Sequence, residues 1–165
     1  MLKLIFLALF SSAVGAATFE VHPGLTTSKA WLTELAQVVS CVSRQEALII
    51  EVARSKPFTH TKDAPGVVAK KMLEDQSKVV FSTYRSRPFS KTIAYRNVGS
   101  NIVYFNTRKN PRDTAQMVNT GIHEWLHVAG YGHGSNSAKG KGESVNYAVG
   151  KMAEKYVQFC TKGGK

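Results

Sequence analysis

The strongest constraint on the fold of this chain is an eleven-residue run, HEWLHVAGYGH, that begins at His123 and ends at His133. His123 and His127 are four residues apart, so on a helix both imidazoles face the same side. Gly130 favours a helix end, because glycine enters the left-handed conformation at little cost. The turn after it can bring His133 back beside the other two. The spacing therefore predicts a helix, a tight turn and three imidazoles that converge.

Three converging imidazoles form a ligand set that divalent zinc favours, and they leave the fourth tetrahedral position open. Glu124 lies next to the first imidazole, where its carboxylate can polarise a water instead of binding the metal. Three of the five histidines of the chain fall inside this run, which disfavours an ordinary amphipathic helix with unrelated histidines. The pattern predicts a catalytic zinc site with His123, His127 and His133 as ligands and Glu124 as general base.

The same segment resembles the long zinc-binding signature, HExxHxxGxxH, of the metzincin clan of zinc-dependent metallopeptidases. The resemblance covers residues 123–133. It implies one catalytic zinc ion, a zincin-like fold and hydrolysis of a polypeptide substrate. Metzincins also carry a methionine in a tight turn after the third histidine. Met152 is the only methionine after His133, and it lies within a helical repeat, so we expect a core residue of the C-terminal helix.

Tyrosines near the C-terminus are further candidates, because a phenol stabilises the oxyanion in some zinc peptidases. Tyr156 lies on the apolar stripe of the last helix, which favours a core position. Tyr147 lies off this stripe and is therefore the candidate oxyanion stabiliser. His22 and His60 have no ligand spacing, and we interpret both as surface histidines.

The first residues have the three-part composition of a secretory signal peptide. A basic start at Lys3 precedes an apolar run at residues 4–10 and a stretch of small residues. We expect cleavage after Ala16, which divides the chain into a signal peptide, residues 1–16, and a single domain, residues 17–165. The apolar run is too short to span a bilayer permanently. The mature chain is therefore expected to be secreted or periplasmic, with no membrane span.

Cys41 and Cys160 are the two cysteines of the chain. In a small exported domain such a pair predicts one disulfide, which here would join the N-terminal region to the C-terminal helix. Closing a loop of about 120 residues stabilises a fold by ~4–5 kcal/mol in the chain-entropy treatment. The alternative assigns Cys41 to the zinc as a latency ligand, although no neighbouring residues support that assignment.

The chain has a formal net charge of +11 at pH 7, and its middle part is distinctly basic. Such a field attracts acidic proteins, anionic cell-surface polymers or nucleic acid. The charges are scattered, however, and no nucleic-acid-binding motif with ordered aromatic residues accompanies them. We therefore favour a solvated basic surface on a monomer and expect no specific nucleic acid partner. The basic residues concerned are Lys70, Lys71, Arg85, Arg87, Lys91, Arg96, Arg108, Lys109 and Arg112.

Apolar spacing predicts the helices of the domain. Residues 27–42 repeat with a helical period, residues 44–54 fit either a helix or a buried strand, and residues 67–73 fit a short helix. Asn110-Pro111 is the predicted start of the metal-binding helix, because Asn caps well and Pro suits a first turn. Residues 143–160 show a strong amphipathic repeat and predict one C-terminal helix.

Three short segments rich in Val, Ile, Thr, Tyr and Phe predict strands at residues 78–85, 91–97 and 101–106, with a hairpin turn at residues 98–100. Along the chain, helices precede and follow these strands, and this order predicts an α+β class: a compact zincin-like domain with a small mixed sheet, an active-site helix and a C-terminal helix. By analogy with zincins, residues 101–106 are the candidate edge strand beside the cleft, where pairing with an extended peptide would occur. An ordinary internal strand is the alternative for this segment.

Two other functions are compatible with the same residues. A secreted zincin-like module could keep the zinc without turnover, and a zinc hydrolase could act on a non-peptide substrate such as a cell-wall polymer. Substitution of Glu124 separates a peptidase from a binding module, because a binder would cleave nothing even as wild type. A substrate screen that includes peptidoglycan tests the second alternative.

Overall fold

The structure, a computed structural model, describes residues 16–25, 29–134 and 141–161. These residues form five α-helices and a four-stranded mixed sheet, which agrees with the predicted α+β class. The helices are α1 (Lys29–Ser43), α2 (Glu46–Ala53), α3 (Pro65–Glu74), α4 (Thr114–Val128) and α5 (Val145–Ala153). The strands are β1 (Thr18–Val21), β2 (Lys78–Tyr84), β3 (Ala94–Arg96) and β4 (Ile102–Asn106). The expected signal peptide, residues 1–16, lies outside the described residues except for Ala16.

The sheet has the order β1-β2-β4-β3, with β1, β2 and β4 parallel and β3 antiparallel to β4. The three predicted strands and their hairpin turn are confirmed, and Gly99 supplies the turn with a φ of 78°. Strand β1 was not predicted. The edge-strand prediction for residues 101–106 is wrong, because β4 pairs on both sides and is internal. The short β3 is the edge strand on this side of the sheet, because the hairpin places it outside β4.

The helix predictions hold with two corrections. The ambiguous segment at residues 44–54 is helical, as α2. Helix α4 does not begin at Asn110-Pro111: its N-cap is Asp113, whose carboxylate accepts the Ala115 N–H at 2.8 Å. Asn110 is instead buried in the turn after β4, where its side-chain amide donates to the Asn106 carbonyl at 3.0 Å. The C-terminal repeat forms α5 followed by a 3-10 helix, Glu154–Phe159, rather than one continuous helix.

The core lies between the inner face of the sheet and helices α1 and α4. Helix α4 contributes an apolar face to this core, because Val118, Ile122, Trp125 and Leu126 are all buried. Gly121 allows α4 to lie against α1, since a Cβ there would come within 2.9 Å of a Val39 methyl. The tight packing leaves the opposite face of α4, which carries His123 and His127, directed away from the core.

A disulfide joins Cys41 on α1 to Cys160, with Cα atoms 5.8 Å apart and a sequence separation of 119. The predicted pairing is confirmed, and it excludes Cys41 as a metal ligand. Cys160 follows the 3-10 helix after α5, so the bond ties the end of the domain to its first helix. Within the described ranges, no helix is both long and apolar enough to cross a bilayer.

Candidate metal centre

Helix α4 ends in a hydrogen-bonded reversal at Gly130, which has a φ of 94°. The Gly130 N–H donates to the His127 carbonyl at 3.2 Å, and the Tyr131 N–H donates to the Leu126 carbonyl at 2.9 Å. These two bonds define a Schellman motif, in which a left-handed residue satisfies the last carbonyls of a helix. The predicted helix end is confirmed, and the reversal carries His133 back toward the helix.

The three histidines of the motif converge as their spacing predicts. His123, His127 and His133 each offer a ring nitrogen, and these nitrogens lie within 4.8 Å of one another. Nitrogens bound to one tetrahedral zinc at about 2.0–2.1 Å would be roughly 3.3 Å apart. Small side-chain rotations supply this contraction, since all three rings are only half-buried. The three residues lie close enough to bind one metal ion.

Backbone carbonyls select which nitrogen two of the rings present. His127 Nδ1 lies 2.8 Å from the Tyr131 carbonyl oxygen, and His133 Nδ1 lies 3.0 Å from the Gly134 carbonyl oxygen. A carbonyl can only accept, so each Nδ1 carries the proton and each Nε2 keeps its lone pair for a metal. Such outer hydrogen bonds are the usual way in which ligand histidines are oriented. The donor set thus suits a divalent metal ion.

The charge state of His127 favours the same role. Burial lowers its pKa; the hydrogen bond to the Tyr131 carbonyl opposes this effect, and nearby His133 and Arg96 add to the lowering. The imidazole is therefore neutral at pH 7, which is the form that binds metal ions.

Asn146 on α5 fastens the two parts of the motif to each other. Its side chain is fully buried, and its amide donates to the His123 carbonyl at 3.1 Å and to the Tyr131 carbonyl at 3.4 Å. The Tyr131 carbonyl is also the acceptor for His127 Nδ1. One amide therefore connects the backbone of the first ligand with the group that orients the second. Sequence reasoning did not identify this residue, because nothing local distinguishes it within the helical repeat.

A glycine lets α5 approach the metal-binding helix. A Cβ at Gly150 would lie 2.9 Å from the backbone oxygen of Asn119 on α4, closer than side-chain atoms tolerate. This approach brings Tyr147 to the site, with its ring 4.5 Å from the His123 ring and 4.9 Å from the His133 ring. The candidate tyrosine chosen from sequence thus lies beside two of the three histidines.

Other residues considered from sequence lie elsewhere. Tyr156 lies in the 3-10 helix after α5, and its hydroxyl donates to Glu51 and to the Ala47 carbonyl on α2. Met152 lies on the side of α5 that faces α2, where it packs as a partly buried core residue. His22 and His60 do not belong to the histidine cluster, which is the one metal-ligand group found among the described residues.

Glu124 is buried beside the histidines, with 8% of its surface exposed. Burial raises the pKa of its carboxyl to about 7, although the nearby Arg96 guanidinium acts in the opposite direction. Within the described part of the chain, the carboxylate has no hydrogen-bond or ion-pair partner. A carboxyl with a pKa near neutrality can both accept and release a proton at physiological pH.

Arg96 joins the edge strand β3 to the end of helix α4. From β3, its guanidinium donates to the His127 carbonyl at 3.0 Å and to the Ser100 carbonyl at 2.8 Å. A cation at a helix C-terminus is also favourable for the helix dipole. From sequence, Arg96 was only one of many basic residues. Its contact spans 31 residues, and no local pattern signals it.

The site opens into a groove of about 850 Å³ between the start of α4, α5 and the segment that leads into β3. We call it the histidine groove. A smaller recess of about 360 Å³ shares part of its wall and reaches the other two histidines. The lining residues common to both are Thr92, Ala94, His123, Glu124 and Tyr147.

Comparison with family models, curated proteins and solved structures found no match. Functional inference therefore depends on the residues and geometry of this chain alone.

Proposed function

We propose that this protein is a secreted, zinc-dependent metallopeptidase with a metzincin-type three-histidine site. The observation that carries the proposal is the convergence of His123, His127 and His133 beside a buried Glu124. Three histidine ligands with one open position are typical of catalytic zinc sites, whereas structural sites are closed by four protein ligands. No fourth cysteine, histidine or carboxylate joins the cluster within the described residues.

Zinc is the metal that this donor set favours. Neutral imidazoles suit zinc as well as several other transition metals, but not the hard cations calcium and magnesium, which prefer oxygen ligands. The carbonyl contacts at His127 and His133 leave Nε2 available on both rings. His123, His127 and His133 would hold the ion. When bound, zinc supplies a Lewis acid that polarises a scissile carbonyl and lowers the pKa of water.

Glu124 is the residue proposed to move the proton. Its carboxylate would accept a proton from the attacking water and later donate it to the leaving amine. Burial raises its pKa to about 7, so both steps are accessible near neutral pH. Arg96, which contacts the His127 carbonyl, would hold the edge strand beside the reacting groups.

Tyr147 is proposed to stabilise the oxyanion. The centroid of its ring lies within 5 Å of those of His123 and His133, and it lines the histidine groove. A phenol donates one hydrogen bond without carrying a charge, which is the property required next to a developing oxyanion. Removing one such donor lowers kcat by about 10²–10³ in well-studied hydrolases.

The test uses the chain from residue 17 onward, expressed by secretion and assayed for metal content and for cleavage of denatured casein. We expect about one zinc per chain and proteolysis by the wild type. Glu124→Ala should keep the zinc and lose proteolysis, while His133→Ala should lose both. Glu51→Ala, a glutamate outside the histidine groove, is the matched control and should retain both.

Each alternative outcome has a distinct meaning. Full proteolysis by Glu124→Ala would exclude the proposed mechanism. A wild type that binds zinc but cleaves no protein would exclude the peptidase, and degradation of peptidoglycan under the same conditions would identify a cell-wall hydrolase instead. The disulfide is compatible with export, and detection of the processed chain outside the cytoplasm tests the proposed secretion.

A further inference from the structure

The histidine groove extends well beyond the three histidines. At its end near the start of α4 it is lined by Arg112, just before the helix, and by Lys151 on α5. Lys91, before β3, also lines it. Three basic side chains thus come from three separate parts of the chain and line one cavity. Lys91 and Arg112 were among the scattered basic residues for which the sequence predicted only a solvated surface, and Lys151 was not singled out.

The charges at this end are not all compensated. Lys151 forms an ion pair with Glu154, whose other oxygen accepts from Asn119. Arg112 donates to the neutral amide oxygen of Gln116. Lys91 and Arg112 take part in no ion pair within the described part of the chain, so the groove has a net positive end.

Another carboxylate of the groove, that of Asp113, is already engaged. Asp113 also lines the groove, but its side chain accepts the Ala115 N–H at 2.8 Å as the N-cap of α4. That hydrogen bond directs its charge to the helix N-terminus, where a negative charge is favourable. Asp113 therefore does not satisfy Arg112 or Lys91, and both cations remain available to a ligand.

The separation between the two ends matches a few residues of peptide. Gln116, Thr120 and His123 line the groove along α4, and at 1.5 Å of rise per residue the seven steps from Gln116 to His123 span about 10 Å. Arg112 precedes the helix, but its guanidinium donates to the Gln116 side chain, so the basic end begins about 10–14 Å from His123. An extended peptide covers that distance in roughly three or four residues, at about 3.4 Å each.

We propose that the histidine groove selects acidic polypeptides, with Lys91 and Arg112 binding a substrate carboxylate three or four residues from the scissile bond. The proposal rests on the proposed peptidase function for the position of that bond. The net charge of +11 would assist by attracting acidic chains to the surface. The substrate class is therefore an unfolded, acidic segment of protein.

The first experiment measures binding without turnover. Zinc-loaded Glu124→Gln is titrated with two fluorescent twelve-residue peptides that are identical except that one carries Glu where the other carries Gln. The Glu peptide should bind about fivefold more tightly, the scale of one exposed ion pair, and the preference should shrink in high salt. Adding Arg112→Glu should abolish the preference, and adding the milder Arg112→Gln should reduce it.

Lys109→Glu is the matched control, because it changes the net charge as much as Arg112→Glu does but lies outside the groove. This control should keep the preference for the Glu peptide. If Lys109→Glu and Arg112→Glu have equal effects, only general electrostatic attraction operates and the proposed subsite is overturned. Equal binding of the Glu and Gln peptides to the unmodified groove would also overturn it.

The second experiment separates this proposal from the proposed function. Peptides with Glu at the third or fourth position on either side of a mapped cleavage point should show about fivefold lower KM than their Gln counterparts, with similar kcat. Cleavage with no preference for Glu would overturn the subsite and leave the peptidase intact. Arg112-dependent binding of Glu peptides with no cleavage of any peptide would support the subsite and overturn the peptidase.

Discussion

Two grooves of nearly equal size flank helix α5 and differ in what they can do. The histidine groove has a volume of about 850 Å³ and contains His123, Glu124 and Tyr147. A second groove, between α2 and α5, has a volume of about 840 Å³ and is lined by Ile50, Met152 and other largely apolar side chains; we call it the α2–α5 groove. The volume of a groove therefore does not by itself indicate whether it is a candidate active site.

Glu124 lines the histidine groove and Glu51 lines the α2–α5 groove, and the pKa values of these two glutamates are shifted in opposite directions. Burial raises the pKa of Glu124 to about 7, because no cation is bonded to its carboxylate. Burial also opposes ionisation of Glu51, but hydrogen bonds from Lys155 and Tyr156 outweigh it and lower the pKa. A carboxyl with its partners in place stabilises a fold, whereas a buried carboxyl without them is available for proton transfer.

The largest contrast between the grooves is expected from His127→Ala compared with Met152→Leu. Removing the ligand should weaken zinc binding by more than about 100-fold, beyond the effect of losing an outer-sphere partner, and should reduce proteolysis to background. Met152→Leu conserves volume in the α2–α5 groove and should change neither. Competition with a chromophoric zinc chelator measures the affinities. Loss of zinc binding in Met152→Leu would show that the two grooves are not independent.

Removing the disulfide tests stability without touching the histidines. The double variant Cys41→Ser/Cys160→Ser should lose about 4–5 kcal/mol of unfolding free energy, because the closed loop is long. Urea denaturation measures the loss. The bond lies next to Gln45, whose amide contacts Cys160 Sγ at 3.3 Å. None of these three residues lines the histidine groove, so the zinc stoichiometry of the folded protein should be unchanged. A folded variant without zinc would contradict this separation.

Asn146→Leu tests whether α5 positions the metal ligands. Loss of the bonds to the His123 and Tyr131 carbonyls should lower metal affinity by about 10–100-fold and change the visible absorption of the cobalt-substituted protein. Asn119→Ala is the control, since Asn119 bonds to Glu154 at the same helix interface. It should reduce stability alone. Identical cobalt spectra for Asn146→Leu and the wild type would refute the positioning role.

Gly150→Ala tests the close contact that holds α5 between the two grooves. The added methyl meets the Asn119 backbone oxygen at 2.9 Å, and such overpacking typically costs about 1–3 kcal/mol. Gly66→Ala in α3 is the matched control, because a Cβ there meets nothing within 4 Å. It should stabilise the protein by up to ~1 kcal/mol. Chemical denaturation compares them, and a neutral Gly150→Ala would show that the helices can separate freely.

The smallest effect concerns the pH dependence of stability from Glu51. Its pKa is lower in the folded than in the unfolded state, so its stabilisation is complete above the unfolded-state pKa of 4.5 and is lost as the pH falls through the folded-state pKa. Glu51→Gln should remove this acid-dependent part, less than about 1 kcal/mol for a partly exposed pair. Denaturation at pH 3 and pH 7 measures it. If the unfolding free energies at pH 3 and pH 7 differ by the same amount in Glu51→Gln and the wild type, this ion pair does not contribute to the pH dependence of stability.

The features of the molecule differ in how far the local sequence could predict them. His123 and His127 follow from helical periodicity, and Gly130 marks the helix end through its left-handed conformation. The spacing of Val118, Ile122, Trp125 and Leu126 likewise indicates the buried face of the same helix. Each of these features depends on residues within about one or two turns, which is the range over which backbone geometry acts alone.

Other features depend on contacts that no local pattern encodes. The start of α4 was predicted at Asn110-Pro111 because Asn and Asp cap equally well, and only the burial of Asn110 in the preceding turn decided for Asp113. The edge-strand prediction for residues 101–106 failed because a strand's composition does not specify its neighbours. Arg96 was overlooked because its acceptor, the His127 carbonyl, is 31 residues away.

The amino-acid sequence by itself determined the three imidazoles, the helix that pairs two of them, the glycine that returns the third, and the cysteine pair. Periodicity, backbone conformation and the small number of cysteines are local or combinatorial properties. Tertiary structure decided that β3 is the edge strand beside the site and that Asn146 and Tyr147 reach the histidines. It also decided that Lys91 and Arg112 line the same groove. These contacts join elements distant in sequence, so only the packing of α4 against α5 and the sheet could select them.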